Sequence, residues 1–221
     1  MRRYLKTVQN HWIYLAGALL LAGCNLHLFR GVAPSALIYS HDAVMAGQWY
    51  RILTHSLVHV SWYHLLLDGS CTVVLLRTMD IPAPVKIGAA LFCQLSSLLF
   101  SVLFSPLIRL TGFCGLSGIG HGLMFMAGIL WLFPKKQEQP GGRGARIFGG
   151  LFCLLSLAKS FAELYTGDLF LLSSHQGYLG TPIIHAHAGG VIGGGAAALV
   201  MRWMDRKKTA IPVDKLRSQP Y

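Results

Sequence analysis

Charge is what this sequence has least of. Asp, Glu, Lys and Arg make up 12% of its 221 residues, and eight of them are acidic. Soluble domains carry about a quarter, so a soluble globular chain is excluded. A 53% hydrophobic composition points instead to a lipid bilayer as the solvent. Cysteines are few and unpatterned. Cys24, Cys71, Cys93, Cys114 and Cys153 are odd in number, form no CxxC and lie in or beside apolar stretches. That excludes a disulfide framework and leaves small apolar filler as their reading. HExxH, the helical zinc-protease motif, is missing, as is any internal repeat. No small-residue cleavage site follows Met1–Lys6, and the apolar stretch behind it contains Trp12, Tyr14 and Asn25. The first segment is therefore expected to be a true span rather than a cleaved signal.

What is present is length without charge. Apolar stretches of the roughly 17–25 residues that hydrocarbon requires occur near 12–29, 56–76, 86–104, 116–133, 146–166 and 182–203. The expectation is an all-α polytopic membrane protein with six transmembrane helices in one domain, residues 1–205, followed by a basic cytoplasmic tail, 206–221. The formal net charge of +11 does not call for nucleic acid. With an inside N-terminus and six spans, fifteen of the nineteen Lys and Arg residues fall on the inside; Arg30, Arg51, Arg109 and Lys159 do not. This is the positive-inside pattern, with both termini cytoplasmic and the lipid bilayer as partner. The loop 134–146, "PKKQEQPGGRGAR", reads as a flexible inside linker. The outer segment 30–55, with Trp49, Tyr50 and nearby Trp62, reads as an interfacial loop or short helices.

Polar side chains at bilayer depth are the informative ones, because lipid penalises them. The second span carries His59, His64 and Asp68, the fourth opens with Ser117 and His121, and the sixth holds His185 and His187. At about 1.5 Å per residue, Ser117 stands ~27 Å above Lys135, His187 ~22 Å above Arg202 and His64 ~20 Å above Arg77. All three fall in the outer half of a core roughly 30 Å thick, so one cavity open to the outside can contain them. Any one of these residues alone would read as polar glue between helices; their common depth argues for a site. Gly118-x-x-x-Gly122 and Gly190-x-x-x-Gly194 are small-residue faces that allow close helix approach. If they pack on each other, Ser117 and His187 meet near the top of the seam. Lys159 and Glu163, one turn apart on the fifth span, read as a structural ion pair.

These residues resemble a rhomboid intramembrane serine protease. "GLSG", 115–118, is similar to the family's GxSG motif, with Ser117 as nucleophile. "AHAGGVIGG", 186–194, is similar to AHxxGxxxG, with His187 as base. "HVSWYHLLLD", 59–68, follows HxxxxHxxxN except that Asp68 stands at the asparagine. "GQWYRILTHSLVH", 47–59, resembles the Trp- and Arg-containing approach to the second span. The resemblance covers about residues 45–200, with three motifs in order on the expected spans. Asp68, His121 in place of an aromatic residue, and the lack of a large soluble domain look most like the rhombosortase branch. That branch implies transmembrane-anchored protein substrates with a C-terminal glycine-rich motif, a membrane helix and a basic tail. The compact core suits a bacterial inner membrane, with the site opening to the periplasmic side.

The resemblance implies a Ser117–His187 dyad that needs neither cofactor nor metal. An oxyanion would be held by the Ser117 amide and the His64 side chain, with Gly115, Asp68 and His121 in support. Ionised Asp68 only accepts hydrogen bonds, so it cannot replace asparagine as a donor. It is either held protonated by burial or pairs with His64 or His121 to fix an imidazole donor, the second being preferred. His121 is expected to stack on the catalytic imidazole or line the cavity. His59 is expected to brace the outer loop, while His185, His55 and His41 are expected near the aqueous mouth. The resemblance also suggests a gate for lateral substrate entry near the fifth helix, the alternative to a structural role for Lys159 and Glu163. Two rivals stay open: a metal-dependent membrane hydrolase using His59, His64, Asp68, His121 and His187, and a non-enzymatic protein, either an inactive rhomboid relative or a small transporter with histidine proton relays.

Overall fold

The computed structural model describes residues 14–31, 35–134, 142–170, 173, 175 and 177–209. Within them the chain is all-α. Helix α1 covers 14–24 and is followed by a 3-10 turn, Leu26–Arg30. Two short helices, α2 (His41–Met45) and α3 (Arg51–Thr54), and the 3-10 turn His55–Leu57 occupy the expected outer segment. Then come α4 (Trp62–Thr78), α5 (Ala83–Phe104), the short α6 (Leu107–Thr111), α7 (Ser117–Leu132), α8 (Gly142–Thr166) and α9 (His185–Thr209).

Each of the six apolar stretches thus contains a helix. Two of these, α5 and α8, are long and apolar enough to cross a membrane, with mean hydropathies of 2.0 and 1.6; α7 is apolar but shorter. Only 33% and 22% of the best windows of α5 and α8 are buried. Leu91, Leu95, Leu99 and Leu103 on α5, and Leu151, Leu154 and Leu155 on α8, face outward. The second stretch starts later than expected. Residues 56–61 are not α-helical, because the Ser61 hydroxyl accepts the His64 amide and begins α4 only at Trp62. That arrangement is an N-cap. Conversely α8 starts at Gly142, before its apolar stretch, and α9 continues to Thr209. Most of the inside linker and residues 210–221 of the tail lie outside the described residues.

Helix α9 is central, packed along α5 on one side and α7 on the other, with α8 against α7. The glycine faces set that spacing. A Cβ on Gly190 would overlap the Gly118 carbonyl, one on Gly194 that of Gly122, and one on Gly122 would lie 2.5 Å from the Gly190 oxygen. Only backbones without side chains fit this seam. Leu75, Leu116, Leu123, Met126, Ala127 and Ala198 fill a core below it.

Polar groups hold the loops between α1 and α4. Buried Asn25 donates to the Leu21 and Leu57 carbonyls at 2.8 and 2.7 Å and accepts the His59 amide at 2.8 Å. Buried Arg51 donates to the Ser35 and Ile38 carbonyls and to Gln48. Gln94 on α5 donates to the Ile52 and Leu53 carbonyls. These bonds satisfy backbone groups of loops and short helix ends; the Leu21 carbonyl accepts the Asn25 amide as well.

Candidate active site

The approach to Ser117 is pinned residue by residue. Tyr39 and Phe113 exchange backbone bonds at 2.9 and 3.0 Å. The Gly115 amide donates to the His55 carbonyl at 3.1 Å, and the Leu116 amide to Asp68 Oδ2 at 3.0 Å. Gly115 has φ +105°, and a Cβ there would stand 2.8 Å from His64 Nε2 and 3.1 Å from Asp68 Oδ2. Glycine therefore serves twice, accepting a conformation L side chains avoid and leaving room for the His64–Asp68 pair. Ser117 is the first residue of α7. Amides of a helix's first turn have no partner within the helix and sit at the positive end of its dipole.

His187 lies in the first turn of α9, buried, and shares with Ser117 a cavity of about 530 Å³. His64, Asp68, His121 and Lys159 also line it. The structure thus brings together every residue expected at the site; Gly115 lies directly behind the wall. Among the described residues no hydrogen bond joins the Ser117 hydroxyl to the His187 ring. Such bonds are often long in enzymes without substrate and tighten on binding.

His187 is oriented from its other side. Its Nδ1 lies 2.6 Å from Glu163 Oε2, and because an ionised carboxylate has no proton to give, Nδ1 is the donor. In the neutral ring, which carries one N–H, Nε2 is then the acceptor. Glu163 is fully buried and also accepts from the Lys159 ammonium and, through Oε1, from the Phe170 amide at 3.1 Å. Lys159 Nζ is 3.4 Å from the same His187 nitrogen. His121 stacks on His187 with centroids 4.0 Å apart and planes 15° from parallel, while its Nδ1 donates to the Ser117 carbonyl at 2.8 Å. The sequence reads Lys159 and Glu163 as a structural ion pair, with a gate near the fifth helix as the alternative, and neither reading joins them to His187. The available signal was a glutamate inside an apolar span, unusual on cost grounds, but its histidine partner is 24 residues away and no periodicity connects them.

The opposite wall belongs to α4. His64 Nε2 is 3.2 Å from Asp68 Oδ2, and His59 Nε2 is 3.8 Å from it. Of the two partners open to Asp68, His64 is the one in contact; His121 is turned to the Ser117 carbonyl. Asp68 accepts from the Leu116 amide with the same oxygen, so it fastens the residue before the serine. His64 Nδ1 and both ring nitrogens of His59 are buried without a hydrogen-bond partner. His59 braces the outer loop through its backbone, its amide on Asn25 and its carbonyl 2.9 Å from His27 Nε2.

One expectation for the mouth is corrected. His55 is 1% exposed, packed against Phe113 at 5.1 Å, with Nδ1 3.2 Å from the Arg51 carbonyl. Burial pushes its pKa down to about 4, opposed by the Arg51 and Ile52 carbonyls. Its position just before the second apolar stretch suggested the interface, but the Tyr39–Phe113 bridge covers it. His41 and His185 are half-buried. Among the described residues no three His, Cys, Asp or Glu side chains form a group able to hold a metal ion. No protein-family model matches the chain, and no curated protein matches its sequence significantly.

Proposed function

We propose that the protein is an intramembrane serine endopeptidase of the rhomboid type, a six-span protein of a bacterial inner membrane whose site opens to the periplasmic side. Its substrates are membrane-anchored proteins, those with glycine-rich C-terminal anchors of the rhombosortase class foremost. The observation that carries the reading is one cavity lined by a serine at a helix start and a histidine whose Nδ1 is already taken by a carboxylate. An imidazole fixed this way presents Nε2 as a base, which a serine hydroxyl requires to become a nucleophile. Membrane residence is supported by the outward leucines of α5 and α8, together with the inward His64, Asp68, Glu163 and His187.

In the reaction Ser117 Oγ bonds to the substrate's carbonyl carbon while its proton passes to His187 Nε2. The oxyanion faces the unpaired amides of the first turn of α7 and the His64 imidazole, each donor worth roughly 3–4 kcal/mol of barrier. The carbon–nitrogen bond then breaks, and the leaving amine takes the proton from Nε2. Water attacks the acyl-serine and gives its proton to Nε2, and Oγ regains it as the ester bond breaks. A rhomboid-like protein without hydrolytic activity would use none of these contacts.

The decisive experiment is co-expression with candidate tail-anchored substrates, comparing wild type with Ser117→Ala for release of the soluble domain, alongside labelling by a fluorophosphonate in membranes. Wild type is expected to cleave and label, and Ser117→Ala and His187→Ala to do neither. Cleavage unaffected by Ser117→Ala would overturn the assignment.

A further inference from the structure

We infer that Glu163, held by Lys159, is the positioning residue of the catalytic histidine, so that the site works as a Ser117–His187–Glu163 triad rather than a dyad; this rests on the proposed hydrolase reading. Three donors converge on the Glu163 carboxylate, the Lys159 ammonium, the Phe170 amide and His187 Nδ1–H, with none of its side chain exposed. Their arrangement is directional. Oε1 takes Lys159 and Phe170, while Oε2 is left to the imidazole at 2.6 Å.

A carboxylate buried without compensation is expensive, and packing alone gives α8 no reason to aim one at α9. The placement acquires a purpose if the imidazole gains a second proton during catalysis. Then the negative charge already in place stabilises the imidazolium, and the bond at Nδ1 excludes the tautomer that would put a proton on Nε2 and block the base. Lys159 and the Phe170 amide keep the carboxylate in its accepting form before the reaction begins. His121 closes the other face of the ring by stacking. The imidazole is thus fixed both in plane and in rotation, which a dyad leaves to packing.

Glu163→Gln is nearly isosteric and tests this. Gln can offer an amide N–H to Nδ1, favouring the wrong tautomer. The protein in detergent micelles or membranes is compared for fluorophosphonate labelling rate, kcat and KM on a cleavable tail-anchored substrate, thermal unfolding, and the imidazole proton resonances of a sample carrying labelled histidine. Wild type is expected to show a resonance well downfield of the amide region from Nδ1–H bonded to the carboxylate. In Glu163→Gln that resonance disappears, and labelling and kcat fall about 10²–10⁴-fold with KM unchanged. A folded Glu163→Gln protein that labels at the wild-type rate overturns the inference, as does a kcat loss that only tracks a lower unfolding temperature. Should Glu163→Gln fail to fold, Glu163→Asp replaces it. Return of the downfield resonance with partial rate supports the positioning role, and folded protein as slow as Glu163→Ala overturns it. Wild type that shows the resonance but never labels or cleaves sinks the hydrolase reading, and the triad with it, while leaving the Glu163–His187 bond as structure.

Discussion

The cavity has two walls, each with a histidine against a carboxylate, and the pairs are built differently. On α4 the partners are one turn apart in a single helix, 3.2 Å between Nε2 and Oδ2, and the carboxylate is shared with the Leu116 amide. Across α8 and α9 the partners come from different helices, 2.6 Å between Nδ1 and Oε2, and the carboxylate has a lysine counter-ion. The difference lies in which ring nitrogen is taken. Fixing Nδ1 of His187 leaves Nε2, at the far end of the ring, free to accept a proton. Nε2 of His64 lies against Asp68, whose oxygen also holds the Leu116 amide, so that ring is anchored to the loop before the serine and gives an oxyanion its N–H only by turning it from Asp68 or by carrying both ring protons. In the proposed hydrolase the same two residue types therefore give a base on one wall and an anchor for the serine's loop on the other.

The largest effect should come from exchanging these roles. His187→Gln removes the base and is expected to abolish fluorophosphonate labelling. His64→Gln removes one oxyanion donor and should slow labelling about 10²–10³-fold while leaving a measurable rate. Asp68→Asn keeps an acceptor for the Leu116 amide and adds an amide donor, so it alters at most one hydrogen bond of about 0.5–1.5 kcal/mol and should stay within about tenfold of wild type. Complete loss on His64→Gln with a measurable rate in His187→Gln would reverse the assignment of the two walls. Measured inactivation rates across one concentration series of the probe decide it.

His55 is the control for both pairs, an equally buried imidazole with a carbonyl in place of a carboxylate. Its pKa is depressed to about 4 by burial. A histidine whose folded pKa lies below its unfolded value binds fewer protons when folded, so stability is full above the unfolded pKa near 6.5 and declines as pH falls toward 4. The contribution is on the order of 3 kcal/mol across that window. His55→Gln is expected to flatten the part of the unfolding-temperature profile between pH 6.5 and 4 relative to wild type. Parallel profiles for the two proteins would show that His55 takes up its proton without unfolding the loop.

Much of this was legible in the sequence for a physical reason. The helices came from apolar length, and the cavity's membership from counting residues down each helix to its inside anchor, because a helix rises uniformly. The seam was readable too, since glycines at four-residue spacing on α7 and α9 permit a contact that larger residues forbid. Less legible were relations that depend on how one helix is rotated against another. The Glu163 carboxylate meets His187 because α8 turns that face toward α9, and the i, i+4 match to Lys159 supplied a complete local explanation that hid the longer contact. His55 was misplaced for a similar reason. Its neighbours in sequence suggested the interface, whereas the residue covering it, Phe113, arrives from the loop before α7. The late start of α4 was written in Ser61, an N-cap residue inside an apolar run, but hydropathy alone does not register caps.

The smallest expected effect separates the two walls most finely. His121 stacks on His187 and on no residue of the α4 pair, so its replacement should touch the base without touching the oxyanion side. His121→Phe preserves a ring able to stack and loses the bond to the Ser117 carbonyl. Aromatic pairs contribute about 0.5–1.5 kcal/mol beyond their area, and one neutral hydrogen bond about 0.5–1.5 kcal/mol. His121→Phe is therefore expected to slow labelling only about threefold to tenfold, and His121→Ala, which loses both contacts, more than His121→Phe. If the two walls are independent, the factor from His121→Phe should be the same in wild type and in a His64→Gln background, since sites without shared partners add. A factor that vanishes in the double variant would mean that Ser117, whose carbonyl receives His121 and whose preceding amide is held by Asp68, transmits strain between the walls, so that base and oxyanion donors act as one unit.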